Sequence, residues 1–233
     1  MRIFVEPAQL VAGELSVRGD EHHYLGRVRR ARAGDAVELV DGAGHRAAAT
    51  IVRITDAETV LAVATPETIV AAPPFIRVLV PLIKGDRMDI CLEKLVEVGA
   101  DAIVVWPAAR SIVKLEPDRR DARIAKYQSA VQAAARQCGR AQIPVVTWAD
   151  DLSAALATLP PGSRFVLDPT SDQSLVLDAP TDVTIVSGPE GGLAPSELDT
   201  LLGFSSIGLG PRVLRAETAP VIAVALVRAA TRS

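Results

Sequence analysis

Ser187-Gly188-Pro189-Glu190-Gly191-Gly192 follows an apolar run, and Leu209-Gly210-Pro211-Arg212-Val213-Leu214-Arg215-Ala216-Glu217-Thr218-Ala219 leads into an apolar C-terminal segment. Each stretch begins where a predicted strand ends, Val183–Ser187 for the first and Ser205–Leu209 for the second. In open α/β sheets ligands sit at the carboxyl ends of strands, so both loops are candidates to hold one. Three glycines in the first loop let backbone approach a ligand closely, and Pro189 fixes the loop's course. On pattern alone it is equally a plain strand-to-helix turn, with Pro195 starting the next helix. The second loop carries Arg212, Arg215 and Glu217 near a helix start, where they suit an anion or a reacting base. They suit a helix-end salt bridge as well. Neither loop is a phosphate-binding Gly-Lys-Ser/Thr loop or a GxGxxG dinucleotide fingerprint, which disfavours nucleotide hydrolysis and NAD chemistry.

Outward from these loops, strand and helix patterns alternate. Phe75–Ile83 reads as a buried strand, and Asp86–Val98 has Met88, Cys91, Leu92 and Leu95 at helical spacing. Further strands are predicted at Ala102–Trp106, Pro144–Thr147 and Arg164–Leu167. Helices are predicted over Pro117–Gly139, Asp151–Ala157, Pro195–Leu202 and Glu217–Ala230. The alternation implies a mainly parallel sheet covered on both faces. The N-terminal part reads differently, as short strands at Arg2–Val5, Gly13–Val17, Ala36–Val40, Arg46–Ile54 and Thr59–Val63. Asp41-Gly42-Ala43-Gly44 predicts a hairpin turn between the third and fourth. Short strands with turns need closure or covering, so a small β-barrel is expected. Pro66, Pro73 and Pro74 break the pattern, and the domain boundary is placed there: residues 1–70 form one domain and 74–233 the other.

Composition narrows the function class. Cys91 and Cys138 stand far apart, and neither has a second thiol or a histidine at metal-ligand spacing, so a metal site is not expected. His22, His23 and His45 add no such spacing. No apolar stretch is long enough to span a membrane and the first residues lack a secretory apolar run, so a cytoplasmic chain is expected. A formal net charge of −3 does not announce nucleic acid, but its distribution is uneven. Between Arg110 and Arg140 eight Lys or Arg face three acids, whereas Asp150–Gly203 carries nine acids and Arg164 alone. A basic run of this kind suits a polyanionic partner and equally a solvated helix face.

Taken together, Gly188–Gly192 and Leu209–Ala219 resemble the signature of the RsmE family, the ribosomal RNA small subunit methyltransferase E proteins. The likeness extends to His22–Gly34 with Asp35 and Asp41-Gly42, to Lys84–Gly99 with Lys94 and Glu97, to Arg110-Ser111, and to Gln137–Arg140 with Pro144. Arg29 and Arg136 depart from the leucine and acid usual in the family at those places. The resemblance implies a PUA-like β-barrel that binds RNA, followed by a SPOUT α/β domain whose C-terminal loops form a deep trefoil knot. Pattern cannot deliver a knot, because threaded chains are strongly disfavoured in general. The resemblance also implies a homodimer, S-adenosylmethionine as methyl donor, and N3 of a uridine in 16S ribosomal RNA as target. Its cofactor pocket maps onto Leu167, Gly188, Gly191, Gly192, Leu209, Gly210, Val213 and Leu214.

The chemistry assigns further roles. N3 must lose a proton, which calls for an acceptor or for nearby cations. Glu217 is the first candidate acceptor and Glu190 the second, with Arg215 and Arg212 stabilising negative charge. Candidate RNA contacts are Arg27, Arg29 and Arg30 in the first domain, and Arg110, Arg136 and Arg140 in the second. Two rivals stand beside this reading: a ribose 2′-O-methyltransferase sharing the same fold, and a non-catalytic RNA-binding ribosome-assembly protein.

Overall fold

The computed structural model of the chain describes residues 1–70, 73–157, 159–177 and 182–231, so Ala71 and Ala72 of the expected boundary lie outside the described residues. The chain divides into two compact units, Met1–Ala71 with Ala135–Ile143, and Ala72–Ala134 with Pro144–Ser233.

The first unit is built on a mixed sheet. Its elements are β1 (Arg2–Phe4), β2 (Gly13–Val17), α1 (Gly19–His23), β3 (Ala36–Val40), β4 (His45–Ile54), β5 (Thr59–Val63) and β6 (Glu67–Thr68). The order is β1-β3-β4-β5-β2, with β6 paired to one end of β4. Only β1 and β3 run parallel; the other pairs are antiparallel. Alternation decides which face is dry: Ala47, Ala49 and Ile51 of β4 are buried and join Ile3, Leu39 and Leu61 in one core. The turn joining β3 to β4 is held by the Asp41 carboxylate, which accepts from the backbone N–H of Ala43 at 2.7 Å and of His45 at 3.0 Å. The helical stretch from Gly19 through Val28 has no counterpart in the sequence pattern. Leu25 is its one buried residue, and a single apolar anchor produces no periodicity.

Residues Ala135–Ile143 fold with this unit although a helix connects them to the other. Ile143 N–H donates to the Gly42 carbonyl at 2.9 Å, Gln142 bridges Gly42, and the Arg136 guanidinium lies 4.9 Å from the Phe4 ring. Arg136 and Arg140, expected in the second domain, therefore group with the first compact unit. The contacts join segments far apart in sequence, so chain order could not reveal them.

The second unit contains β7 (Ile76–Pro81), α2 (Asp86–Val98), β8 (Ala102–Trp106), α3 (Arg120–Cys138, whose last turn lies in the first unit), β9 (Val145–Trp148), α4 (Leu152–Ala157), β10 (Ser163–Leu167), β11 (Val183–Val186), α5 (Pro195–Thr200), β12 (Ser205–Ile207) and α6 (Ala219–Ala230). Every strand pair in its sheet is parallel, and the order is β12-β10-β11-β7-β8-β9. Central β7 is almost wholly buried, as its apolar residues require, with Arg77 the one half-buried position. The terminal helix begins at Ala219 rather than at Glu217, because Ala216–Thr218 form the turn that enters it.

Helix α2 buries Met88, Cys91, Leu92, Leu95 and Val96, and α6 packs beside it through a face of Pro220, Ala223, Val224 and Val227. Gly99 ends α2 in the left-handed region at φ 106°, where a side chain is also excluded by the Arg228 guanidinium. That guanidinium donates to the Gly99 carbonyl, to the Pro74 carbonyl at 2.8 Å and to the Asp101 carboxylate, and Asp101 in turn accepts from the Ile76 backbone N–H at 2.8 Å. One side chain thus ties α6 to the start of β7 and the end of α2. Arg228→Ala is expected to lower unfolding stability by roughly 2–4 kcal/mol in urea titrations, because it removes the cationic partner of a largely buried carboxylate and the donor to two carbonyls.

Candidate functional site

The carboxyl ends of β10, β11 and β12 lie side by side, and the loops leaving them enclose a cavity of about 730 Å³. That size falls in the range of small-molecule sites, roughly 300–1,000 Å³. Its wall includes Leu167 after β10, Gly188, Pro189 and Gly192 after β11, and Leu209, Gly210, Val213 and Leu214 after β12. Seven of the eight residues nominated for a cofactor are therefore gathered around one space. The eighth, Gly191, is not among the lining residues; a Cβ placed there would come within 3.1 Å of Arg110 Cβ.

The glycine loop is fastened from outside the cavity. Gly192 N–H donates to the Pro189 carbonyl at 2.9 Å, closing a turn. Arg110 Nη1 donates to the Gly191 carbonyl at 3.3 Å and to the Leu193 carbonyl at 3.2 Å. Buried Glu197 accepts from the backbone N–H of Ala194 and of Ala109, both at 2.7 Å, binding the start of α5 to the loop after β8. Opposite, Ser171 Oγ donates to the Ser206 carbonyl at 2.9 Å and Gly208 N–H to the Gln173 carbonyl at 2.9 Å. A Cβ at Gly208 would lie 2.0 Å from the Ser171 carbonyl oxygen, so only glycine fits between these two loops. Gly208 and Glu197 were not singled out from sequence, since their roles depend on partners distant along the chain.

The four nominated catalytic residues divide. Glu190, Arg212 and Arg215 line the cavity, whereas Glu217 does not. The Glu217 side chain is 11% exposed and turns towards α2. There it meets Arg87, whose Nη1 lies 2.9 Å from Glu190 Oε1 and 3.9 Å from Glu217 Oε2. Arg215 Nη1 is 3.8 Å from Glu217 Oε1. The two contacts to Glu217 are attractive but too long for hydrogen bonds, and its buried Oε2 has no hydrogen-bond partner among the described residues. Cys91, one turn along α2 from Arg87, has its thiol pushed up to about 12 by burial and then by the Glu217 charge, so it is neutral. Arg87 went unnoticed in the sequence, although a lone arginine four residues before Cys91 borders the apolar stripe of α2.

The nominated RNA contacts also divide. Arg27, Arg29 and Arg30 are exposed on one stretch of the first unit. The Arg29 guanidinium lies 5.9 Å from the Tyr24 ring, and Arg30 has a left-handed backbone at φ 52°, uncommon for a side-chain-bearing residue. Arg136, also in the first unit, is paired with Glu21. Arg140 there is half-buried, and Arg110 in the second unit is occupied by the glycine loop. Among the described residues no group of three or more His, Cys, Asp or Glu side chains is placed to hold a metal ion, and no helix is long and apolar enough to cross a membrane.

With this geometry established, comparison with known proteins is informative. Residues 71–228 match the model of an RNA methyltransferase domain, and residues 17–64 that of an RNA methyltransferase PUA domain. Ribosomal RNA small subunit methyltransferase E of Mycobacterium bovis is 32% identical over 236 residues, covering 91% of this chain and 84% of that protein. The protein of the same name from Bacillus subtilis is 28% identical, covering 93% and 90%. Among solved structures, a ribosomal RNA small subunit methyltransferase E from Neisseria gonorrhoeae bound to S-adenosyl methionine superposes with a TM-score of 0.82 at 27% identity, covering 98% and 97%.

Asp168 was also missed in the sequence, and it lines the cavity at the end of β10. Its carboxylate accepts from the Thr170 hydroxyl at 2.7 Å, the Thr170 backbone N–H at 2.8 Å and the Ser206 hydroxyl at 3.1 Å. The Thr170 hydroxyl bond, then the Thr170 backbone bond and Ser206, hold the carboxyl below its ordinary value of 3.8. A group depressed on folding stabilises the fold above its unfolded pKa and loses that contribution as pH falls through the folded value. Asp168→Asn is therefore expected to be less stable than the parent at neutral pH. In urea titrations across pH the difference should shrink below about pH 4; a pH-independent difference would contradict the assignment.

Proposed function

The chain belongs to the ribosomal RNA small subunit methyltransferase E family, and from that premise we propose that it transfers a methyl group from S-adenosylmethionine to N3 of a uridine in small-subunit ribosomal RNA. One observation carries the reading: both glycine-bearing loops, distant in sequence, wall a single cavity at three adjacent strand ends. The residues fit the cofactor, since apolar side chains and exposed backbone suit an adenine and a methionine chain. Leu167, Gly188, Gly192, Leu209, Gly210, Val213 and Leu214 would hold it, with Gly191 acting through its packing on Arg110. When bound, S-adenosylmethionine supplies an electrophilic methyl carbon on a sulfonium that departs as a neutral thioether.

This chain's residues supply position and charge. The N3–H proton passes to a carboxylate oxygen as the N3 electron pair forms the new bond to carbon. Glu217 is the proposed acceptor, because its buried Oε2 lacks a hydrogen-bond partner among the described residues. Glu190 is the alternative, favoured by its place on the cavity wall. Arg215 and Arg212, also on that wall, stabilise the negative charge developing on the base. N3 lies on the Watson-Crick edge, so the uridine must be unpaired or extruded.

The finer architecture is part of the same proposal. A first domain over residues 1–70 is a PUA-like barrel that grips RNA, and a second over 74–233 is a SPOUT domain with a trefoil knot at its C-terminal loops. The return of β10, β11 and β12 to one side of β7 supports that topology. Exposed Ile222 and Leu226 on α6 and Val213 in the loop before it offer apolar surface for a second copy of the chain in a homodimer. The proposed compartment is the cytoplasm. Arg27, Arg29 and Arg30, with Arg136 and Arg140, are the proposed phosphate contacts, and Arg110 contributes by holding the glycine loop.

Labelled methyl transfer to small ribosomal subunits that lack the modification, followed by nucleoside analysis, tests the reaction. The expected product is N3-methyluridine; a 2′-O-methylated nucleoside favours the ribose enzyme, and no transfer favours an RNA-binding protein. Glu217→Gln should lower kcat by about 100-fold or more with cofactor affinity unchanged, and a smaller effect than Glu190→Gln would move the base to Glu190.

A further inference from the structure

Arg87 is the one guanidinium, among the described residues, shown within ion-pair distance of both candidate glutamates. Because the same Nη1 atom makes both contacts, Glu190 Oε1 and Glu217 Oε2 can be no farther apart than the two distances laid end to end. The carboxylate on the cavity wall and the one behind it thus form a linked pair.

The arginine stands where a helix does not favour it. Arg87 occupies the first turn of α2, just after Asp86, and a cation at a helix N-terminus faces the positive end of the macrodipole. Its attraction to the two glutamates must offset that repulsion. An exposed ion pair would contribute little, but Arg87 is only 34% exposed and Glu217 11%. The contact to Glu190 is short enough for a charge-assisted hydrogen bond, while that to Glu217 is not. The guanidinium therefore engages Glu190 closely and leaves the buried Glu217 Oε2 that faces it without a hydrogen bond among the described residues. Among the described residues Arg215 is within ion-pair distance of Glu217 but not of Glu190 and is largely exposed, and Cys91 is uncharged, so neither can do the same.

We propose that Arg87 is a positioning residue for methyl transfer: it anchors Glu190 at the cavity rim and holds Glu217 in register behind it with one oxygen free to accept the proton. The proposal rests on the reaction assigned above. It acts through the two glutamates and requires no contact of Arg87 with cofactor or RNA.

Arg87→Met, Arg87→Lys and their combinations with Glu190→Gln and Glu217→Gln test it by single-turnover methyl transfer, cofactor titration calorimetry and thermal unfolding. Arg87→Met should lower the transfer rate by about tenfold or more, with cofactor Kd and RNA KM changed by less than about twofold. Arg87→Lys should restore part of the rate. Combined with either glutamine variant, Arg87→Met should cost less than its effect in the parent, because the groups act as one unit. Full additivity in both combinations overturns the proposal, as does a rate loss matched by an equal loss of cofactor affinity. Should Arg87→Met fail to fold, Arg87→Lys alone decides, since its ammonium lacks the planar fork; a drop of about threefold in rate at unchanged Kd is expected, and an unchanged rate overturns the proposal. A parent chain that binds cofactor but transfers no methyl group removes the reaction itself, an outcome distinct from any variant result.

Discussion

Strand β10 pairs with β11 on one side and β12 on the other, all three parallel, and this pairing determines where a ligand can be held. Parallel strands end on the same edge of a sheet, so three neighbouring strands release three loops at one place. Those loops carry both glycine-rich stretches, and the cavity is the space they leave between them. Its walls are kept open by contacts at their backs. Arg110 and Glu197 fix the β11 loop, and the Ser171 hydroxyl on the Ser206 carbonyl and the Gln173 carbonyl on the Gly208 N–H fix the β12 loop. A site made this way spends little adjustment on binding, which favours a reaction whose demand is alignment.

Charge is distributed with the same economy. Arg87 and Glu217 lie on the α2 side of the β11 and β12 loops, while the cavity wall combines apolar groups and backbone with Asp168, Glu190, Arg212 and Arg215. The apolar and backbone part of the wall suits adenine and a methionine chain, and the charged side chains on it can serve the base. Glu217 shows the separation most clearly. Ala216 just before it and Ala219 two residues after it line the cavity, but its own carboxylate faces Arg87. Burial of a carboxylate with long ion pairs and an open oxygen is costly, and such cost is commonly retained where chemistry uses it.

The first unit contributes a different kind of surface. Arg27, Arg29 and Arg30 are exposed in and just after a short helical stretch whose one buried anchor is Leu25. Arg136 is held by Glu21 and the Phe4 ring. A phosphate would compete with Glu21 for it, and phosphate binding there exchanges one charged partner for another.

Much of this was legible along the chain. The parallel sheet followed from the alternation of apolar strands such as Ile76–Pro81 with amphipathic helices such as Asp86–Val98, because periodicity is local and survives without knowledge of the partner. The β3–β4 hairpin followed from Asp41-Gly42-Ala43-Gly44 for the same reason, and the two loops were recognisable as a pair. The structure alone decided that Gly191 packs on Arg110 instead of lining the cavity, that Glu217 turns away from it, that Ala135–Ile143 folds with the first unit, and that Arg87 joins two acids. Each of these is a meeting of side chains tens of residues apart, set by the order in which strands enter the sheet. Local pattern specifies which elements form and which face of each is apolar; the direction of a single side chain within an assembled site is settled only when distant elements pack.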